Sequence, residues 1–154
     1  MLTGHPNIAI PEENNLFANF VSPDRRNRGE PLGEQQILRT LDLLKRRTPS
    51  LFGASQSTTL IARRASELGV RSYAELMRIA YSTYAESCGR TRWGDKSPNN
   101  ALHVLELADA YQDAQFIHIF QDGRTVATSL ASMNWGFGSV TGAAYWWRNT
   151  FKQQ

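Results

Sequence analysis

The segment from Arg92 to Ser129 constrains this chain most. It reads R-W-G-D-K-S-P-N-N, then an amphipathic stretch, then F-I-H-I-F-Q-D-G-R-T-V-A-T-S. Apolar run, polar loop, helix pattern, apolar run, polar loop and helix start follow in that order, which is a strand–helix–strand–helix path. Strands joined through helices rather than tight hairpin turns run parallel, because the chain must cross back to the same end of the sheet. In open sheets of this kind, ligands bind in the crevice beyond the carboxyl ends of the strands. Lys96 follows one candidate strand; Gln121, Asp122, Gly123, Arg124 and Ser129 follow the next. Cationic and hydroxyl groups are thus gathered where an anion would sit.

The rest of the chain supports that reading. Asn7–Ile10 suits a short buried strand. Pro11-Glu12-Glu13 predicts a helix start that carries Leu16, Phe17 and Phe20, with proline in the first turn and acids against the helix dipole. Ser22–Gly33 has no periodicity and reads as a polar loop. Helices are expected over about 34–46, with Ile37, Leu38, Leu41 and Leu44 on one face, and over about 58–68, stopped by Gly69. Ser72-x-x-Glu75 is a capping box heading a helix to about Ser87, with Leu76, Ile79, Ala80 and Tyr84 as its apolar stripe. Thr91–Gly94 is a strand candidate, and Ser97-Pro98 predicts a helix down which Leu102, Leu105 and Ala108 recur at the expected spacing. Phe116–Phe120 is the third strand, followed by a helix over about 123–133 and an aromatic one over about 141–151. The expected class is α/β, a three-layer arrangement of parallel sheet flanked by helices. Three strands leave long exposed edges, so the chain is expected to be an incomplete piece of such a domain.

Its 154 residues suffice for one domain with a core. Hydrophobic residues make up 41% and charged ones 20%, the balance of a globular protein, and the net charge of +3 favours anionic ligands only mildly. No apolar run approaches the roughly 18 residues of a membrane span. The opening M-L-T-G-H-P-N has neither a basic lead nor an apolar signal core, and Cys88 has no partner cysteine. A reducing, cytoplasmic setting is the expectation, with no membrane partner.

Several constellations dissolve on inspection. Gly89–Ser97 approaches the phosphate loop G-x-x-x-x-G-K-[ST], but Asp95 intervenes between Gly94 and Lys96, and a carboxylate there is expected to repel the anion. Gly136-x-Gly138 follows no strand. His5, His103 and His118 lack the spacing of metal ligands, and His118 reads as a strand residue of the core or face. The arginine clusters at 25–28, 45–47 and 63–64 lack interleaved aromatics and are offset by 14 acids, so they read as solvated surface rather than a nucleic-acid interface. Trp146-Trp147 reads as core. Glu12-Glu13 stays open between dipole compensation and a general base at a strand end.

The ordered motifs resemble the sulfotransferases that use 3′-phosphoadenosine 5′-phosphosulfate (PAPS). That family places D-K-[ST]-P after one strand and R-D-[GP]-R-x-x-x-x-S after the next; here they stand as Asp95-Lys96-Ser97-Pro98 and Gln121-Asp122-Gly123-Arg124…Ser129. The opening M-L-T-G-H-P-N-I-A-I-P-E-E-N is similar to the tyrosylprotein sulfotransferases and their bacterial relatives. The resemblance implies a fold like that of P-loop nucleotide hydrolases and sulfo transfer from PAPS to an acceptor hydroxyl on a peptide, sugar, lipid or small molecule, without a metal. It implies Glu13 as the base, Lys96 as the cation beside the transferring group, and Ser129 with the Gln121 position holding the 3′-phosphate. Gly123 and Arg124 belong to the same nucleotide-binding segment. Gln121 departs from the family's arginine. The resemblance also implies that the phosphosulfate loop lies before Met1 and a covering segment after Gln154, so the chain alone is expected to be inactive. The alternative is a sulfotransferase-like module that binds without catalysis.

Overall fold

The computed structural model describes residues 4–17, 30–52, 58–119, 121–134 and 136–151. The chain divides into two units, 1–113 and 114–154. Phe20, Phe120, the 25–28 arginines and most of the 22–33 loop lie outside the described residues.

In the first unit, β1 (Ile8–Ala9) pairs in parallel with β2 (Arg92–Trp93), Ile8 beside Arg92 and Ala9 beside Trp93. Arg92 N donates to Asn7 O at 2.9 Å and Gly94 N to Ala9 O at 3.0 Å, so the ladder extends into the flanking residues. Between the strands run α1 (Glu34–Arg47), a 3₁₀ turn (Pro49–Phe52), α2 (Thr58–Leu68) and α3 (Tyr73–Ser87). After β2 come a 3₁₀ helix (Pro98–His103) and α4 (Val104–Ala110). The expected parallel crossover between the first two strands is present.

Local chemistry sets these boundaries. Ser72 Oγ accepts from Glu75 N at 3.1 Å and caps α3, while the Glu75 carboxylate reaches back to Arg71 N at 2.6 Å. Gly69 and Gly89, just past α2 and α3, have φ of 60° and 66°, a backbone state that suits glycine after a helix. The core joins Leu16, Ile37, Leu41, Leu44, Leu51, Ile61, Leu76 and Met77, all fully buried. α3 runs through the middle of it and packs on both strands. An aromatic group of Phe17, Tyr81, Trp93 and Tyr111 closes one side, with ring centroids 5.0–6.2 Å apart.

Several expectations are corrected. The helix predicted from Pro11 begins only at Leu16, because the Asn14 side chain accepts from Leu16 N at 3.0 Å and Asn15 turns to φ 51°. The segment after Ser97 buries Leu107; Leu102, Leu105 and Ala108 face solvent. The segment is 3₁₀ over Pro98–His103 and α-helical only from Val104, so Leu102 lies in a different helical piece from Leu105 and Ala108 and the three do not form one continuous stripe. Phe116–Phe120 is not a strand over its described part: residues 114–119 have no regular structure, and Phe116, Ile117 and Ile119 are exposed. A strand exists only through hydrogen bonds to a neighbour, and the sheet among the described residues has two strands. His118 is accordingly exposed rather than set in a strand.

The second unit holds α5 (Gly123–Ser132) and α6 (Val140–Phe151), which pack on each other around Ala127 and Ala143. Trp146 is exposed rather than core. Among the described residues, no helix is long and apolar enough to cross a membrane.

Candidate functional site

Because β1 and β2 are parallel neighbours, the loops leaving their carboxyl ends start side by side. The first carries Glu12 to Asn15, the second Asp95 to Ser97. Lys96 Nζ donates to Glu13 Oε2 at 2.6 Å, across 83 residues of sequence. Their side chains are 69% and 42% exposed, so water still reaches both groups. An ion pair of that exposure contributes about 0–1 kcal/mol to stability. Its meaning is geometric: a carboxylate and an ammonium stand together at the strand ends, open to a ligand.

The neighbours of this pair are fastened together. Ser97 is buried, and its hydroxyl accepts from Asn15 N at 3.1 Å instead of capping the 3₁₀ helix that follows. Tyr81, fully buried on α3, sets its hydroxyl 2.9 Å from Asp95 Oδ1 and 2.9 Å from Asn14 Nδ2. A carboxylate only accepts, so the phenol proton goes to Asp95 and the Asn14 amide donates to the phenol oxygen. Burial first, and then the Asp95 charge, push the Tyr81 phenol well above its usual range, which keeps it a donor. Asn14 is fully used, since Nδ2 also donates to Glu12 O at 3.2 Å and Oδ1 caps Leu16. Asn100 Nδ2 donates to Asp95 Oδ2, and the Asn100 oxygen is buried without a partner.

Asp95 therefore does not stand out against an incoming anion, as its place beside Lys96 in sequence implied. Its carboxylate faces Tyr81 and Asn100 and is committed to holding the loop. The residues that sequence reasoning passed over are Asn14, Asn15, Tyr81 and Asn100. The Asn14-Asn15 pair was a readable signal, since asparagine favours caps and left-handed backbone. Nothing in the apolar stripe of α3 showed where the phenol oxygen of Tyr81 would end.

Gln121, Gly123, Arg124 and Ser129 belong to the second unit. Asp122 caps α5 by accepting from Arg124 N at 2.9 Å, and the same carboxylate takes Arg124 Nε at 3.1 Å and Nη2 at 3.0 Å. The Arg124 guanidinium accordingly pulls the Asp122 carboxyl below its ordinary range. The helix N-terminus and its arginine, expected to receive a phosphate, are engaged by an internal carboxylate. Gly123 is held for space: a Cβ there would fall 2.9 Å from the Trp147 ring. Arg124, Thr125, Thr128, Ser129 and Ser132 line one open groove of about 510 Å³. Thr128 and Ser132 donate their protons back to the Arg124 and Ser129 carbonyls at 2.8 Å. Gln121 and Ser129 are exposed. Among the described residues, no group of three or more His, Cys, Asp or Glu side chains could hold a metal.

Compared with models of known protein families, residues 1–153 match the sulfotransferase family. No curated protein and no solved structure matches the chain.

Proposed function

This chain belongs to the sulfotransferase family, and from that premise we propose that its site moves a sulfo group from PAPS to the hydroxyl of an acceptor by in-line displacement. Sulfo transfer is the chemistry of the family as a whole. The observation that carries the finer reading is the 2.6 Å pairing of Glu13 and Lys96 at the ends of two adjacent parallel strands. A hydroxyl nucleophile needs a base within hydrogen-bond reach, and the charge that builds up around the transferred group needs a cation beside it. Glu13 takes the hydroxyl proton as the acceptor oxygen bonds to sulfur. The bond from sulfur to the bridging phosphate oxygen breaks, and the electron pair leaves with the nucleotide. Lys96 offsets the charge on the oxygens of the moving group.

PAPS supplies an activated sulfo group and, at its other end, a 3′-phosphate. Within the second unit taken by itself, the groups suited to a phosphate are the Ser129 hydroxyl, the Gln121 amide and, once released from Asp122, the Arg124 guanidinium at the helix start of Gly123. A second reading, a module that binds without catalysis, is favoured by one observation: Arg124 is already neutralised by Asp122, and Gln121 adds no charge. Transfer of labelled sulfo groups from PAPS to a panel of peptide, sugar and phenolic acceptors separates the two. Glu13→Gln is expected to lower turnover about 10²–10⁴-fold with donor affinity nearly unchanged. Wild-type turnover in that variant would remove Glu13 from the mechanism; donor binding with no transfer by the wild type would favour the second reading.

A further inference from the structure

Glu13 and Lys96 lie on loops that enter and leave the fold far apart in sequence, and both side chains are long. Something must hold the loops in register if the 2.6 Å pair is to be a standing feature. The ladder ends at the bond from Gly94 N to Ala9 O, ahead of both residues. Beyond it, two links join the loops: Ser97 Oγ, next to Lys96, accepts from Asn15 N at 3.1 Å, and the Tyr81 hydroxyl meets both Asn14, next to Glu13, and Asp95, next to Lys96. Tyr81 is rooted in α3 at zero exposure, with its ring against Phe17 and Trp93.

We propose that Tyr81 is a positioning residue that, through Asn14 on one loop and Asp95 on the other, sets the separation of Glu13 and Lys96. It touches neither of them and takes no part in bond making. One proton and one lone pair of the phenol suffice: the proton fixes the Asp95 loop, the lone pair the Asn14 loop. The ring packing of Tyr81 does not depend on the hydroxyl, so Tyr81→Phe removes the phenol's link, leaves the bond from Asn15 N to Ser97 Oγ and keeps the core filled. The assignment of the pair to sulfo transfer rests on the function proposed above; the positioning itself does not.

The test reads the pair directly. A water-soluble carbodiimide joins a carboxylate to an amine only when they touch, and the Glu13–Lys96 cross-link is quantified by peptide mass spectrometry well below the melting temperature. Tyr81→Phe is expected to lower its yield about tenfold or more, because an ångström of displacement costs reactions between held groups on that scale. Asp95→Ala should do the same. Asp95→Asn should retain the cross-link, because it keeps an oxygen toward Tyr81 while Asn100 turns its unpartnered oxygen toward the new amide. A purely structural role would lower the melting temperature of all three variants and leave the folded-state yield alone. Wild-type yield in folded Tyr81→Phe overturns the proposal. If that variant does not fold, equal yields in Asp95→Ala and Asp95→Asn overturn it instead. With PAPS and an acceptor, Tyr81→Phe should lower kcat and leave the donor KM nearly unchanged. Cross-link loss alongside wild-type turnover in Glu13→Gln would sink the proposed function and leave the positioning intact.

Discussion

Asp113 accepts two hydrogen bonds from one guanidinium, Arg78 Nη2 at 2.7 Å and Nη1 at 3.0 Å, while Arg78 also lies over the Tyr111 ring at 5.1 Å. That hydrogen-bonded pairing is the main reason the Asp113 carboxyl falls from the ordinary 3.8 to about 2. A carboxyl depressed in the folded state contributes stability above its unfolded value, and the contribution fades as pH falls through the folded one. Asp113→Asn should therefore melt slightly below the wild type from about pH 4 upward, with the gap closing toward pH 2. The gap should be small, because both partners are solvent-washed and water screens them. Thermal melts of both proteins across that range check it; a gap that persists at pH 2 would assign the difference to something other than this charge. Glu13 and Lys96 are as open to water as this pair, and the difference between the two sites lies in what surrounds them. The pair at residues 78 and 113 ends at a surface, whereas the pair at 13 and 96 is backed by Asn14, Asp95 and the buried phenol of Tyr81.

At the scale of elements, α5 carries the clearest conflict between sequence motif and observed geometry. Its N-cap carboxylate, Asp122, holds both the Arg124 amide and the Arg124 guanidinium, the groups a nucleotide phosphate would need. Asp122→Asn keeps the cap, since asparagine serves there as well as aspartate, and removes the competing charge. If Arg124 and the helix start receive phosphate, binding of adenosine 3′,5′-bisphosphate should tighten about tenfold or more by calorimetry. Unchanged affinity would strike Gly123 and Arg124 from the nucleotide site. Helix bounds were legible where a cap or a stop is spelled in adjacent residues and used as one, at Ser72 with Glu75 and at Gly69 after Leu68. They were misread at Pro11-Glu12-Glu13, where the first-turn signals were present but Asn14 and Asn15 delay the helix to Leu16. The stripe at Leu102, Leu105 and Ala108 assumes one continuous helix, whereas the segment is 3₁₀ to His103 and α-helical from Val104. Lys96 and Glu13 could be named from their motifs, but their contact could not, because it depends on which strands pair. Phe116–Phe120 has every local feature of a strand, and pairing is the one property a single segment does not encode.

Across the whole molecule, burial is divided very unevenly, and that division makes the last prediction. The first unit buries large side chains from α1, α2 and α3 in one cluster, with Leu41, Leu44, Ile61, Leu76, Met77 and Tyr81 at zero exposure. Each such side chain contributes about 1.5–3 kcal/mol. In the second unit the buried hydrophobic residues among those described are Ala127 and Ala143, while Phe137, Val140, Tyr145 and Trp146 stay exposed. A buried methyl group contributes about 0.8 kcal/mol, and ordering each backbone residue costs about 1–2 kcal/mol. The helical hydrogen bonds of α5 and α6 are thus held closed by much less burial than those of α3. Hydrogen exchange followed by mass spectrometry should show amides of 74–85 exchanging only with global unfolding. Amides of 126–132 and 143–149 should exchange at least about tenfold faster, through local opening. A ligand that engages Arg124 and Ser129 should slow the second set and leave the first unchanged. Equal protection of the two sets in the free protein would mean that α5 and α6 are stabilised by more than their own contacts supply. Added adenosine 3′,5′-bisphosphate then gives the same measurement a second use, because protection confined to 121–132 would locate the phosphate on α5 without requiring turnover.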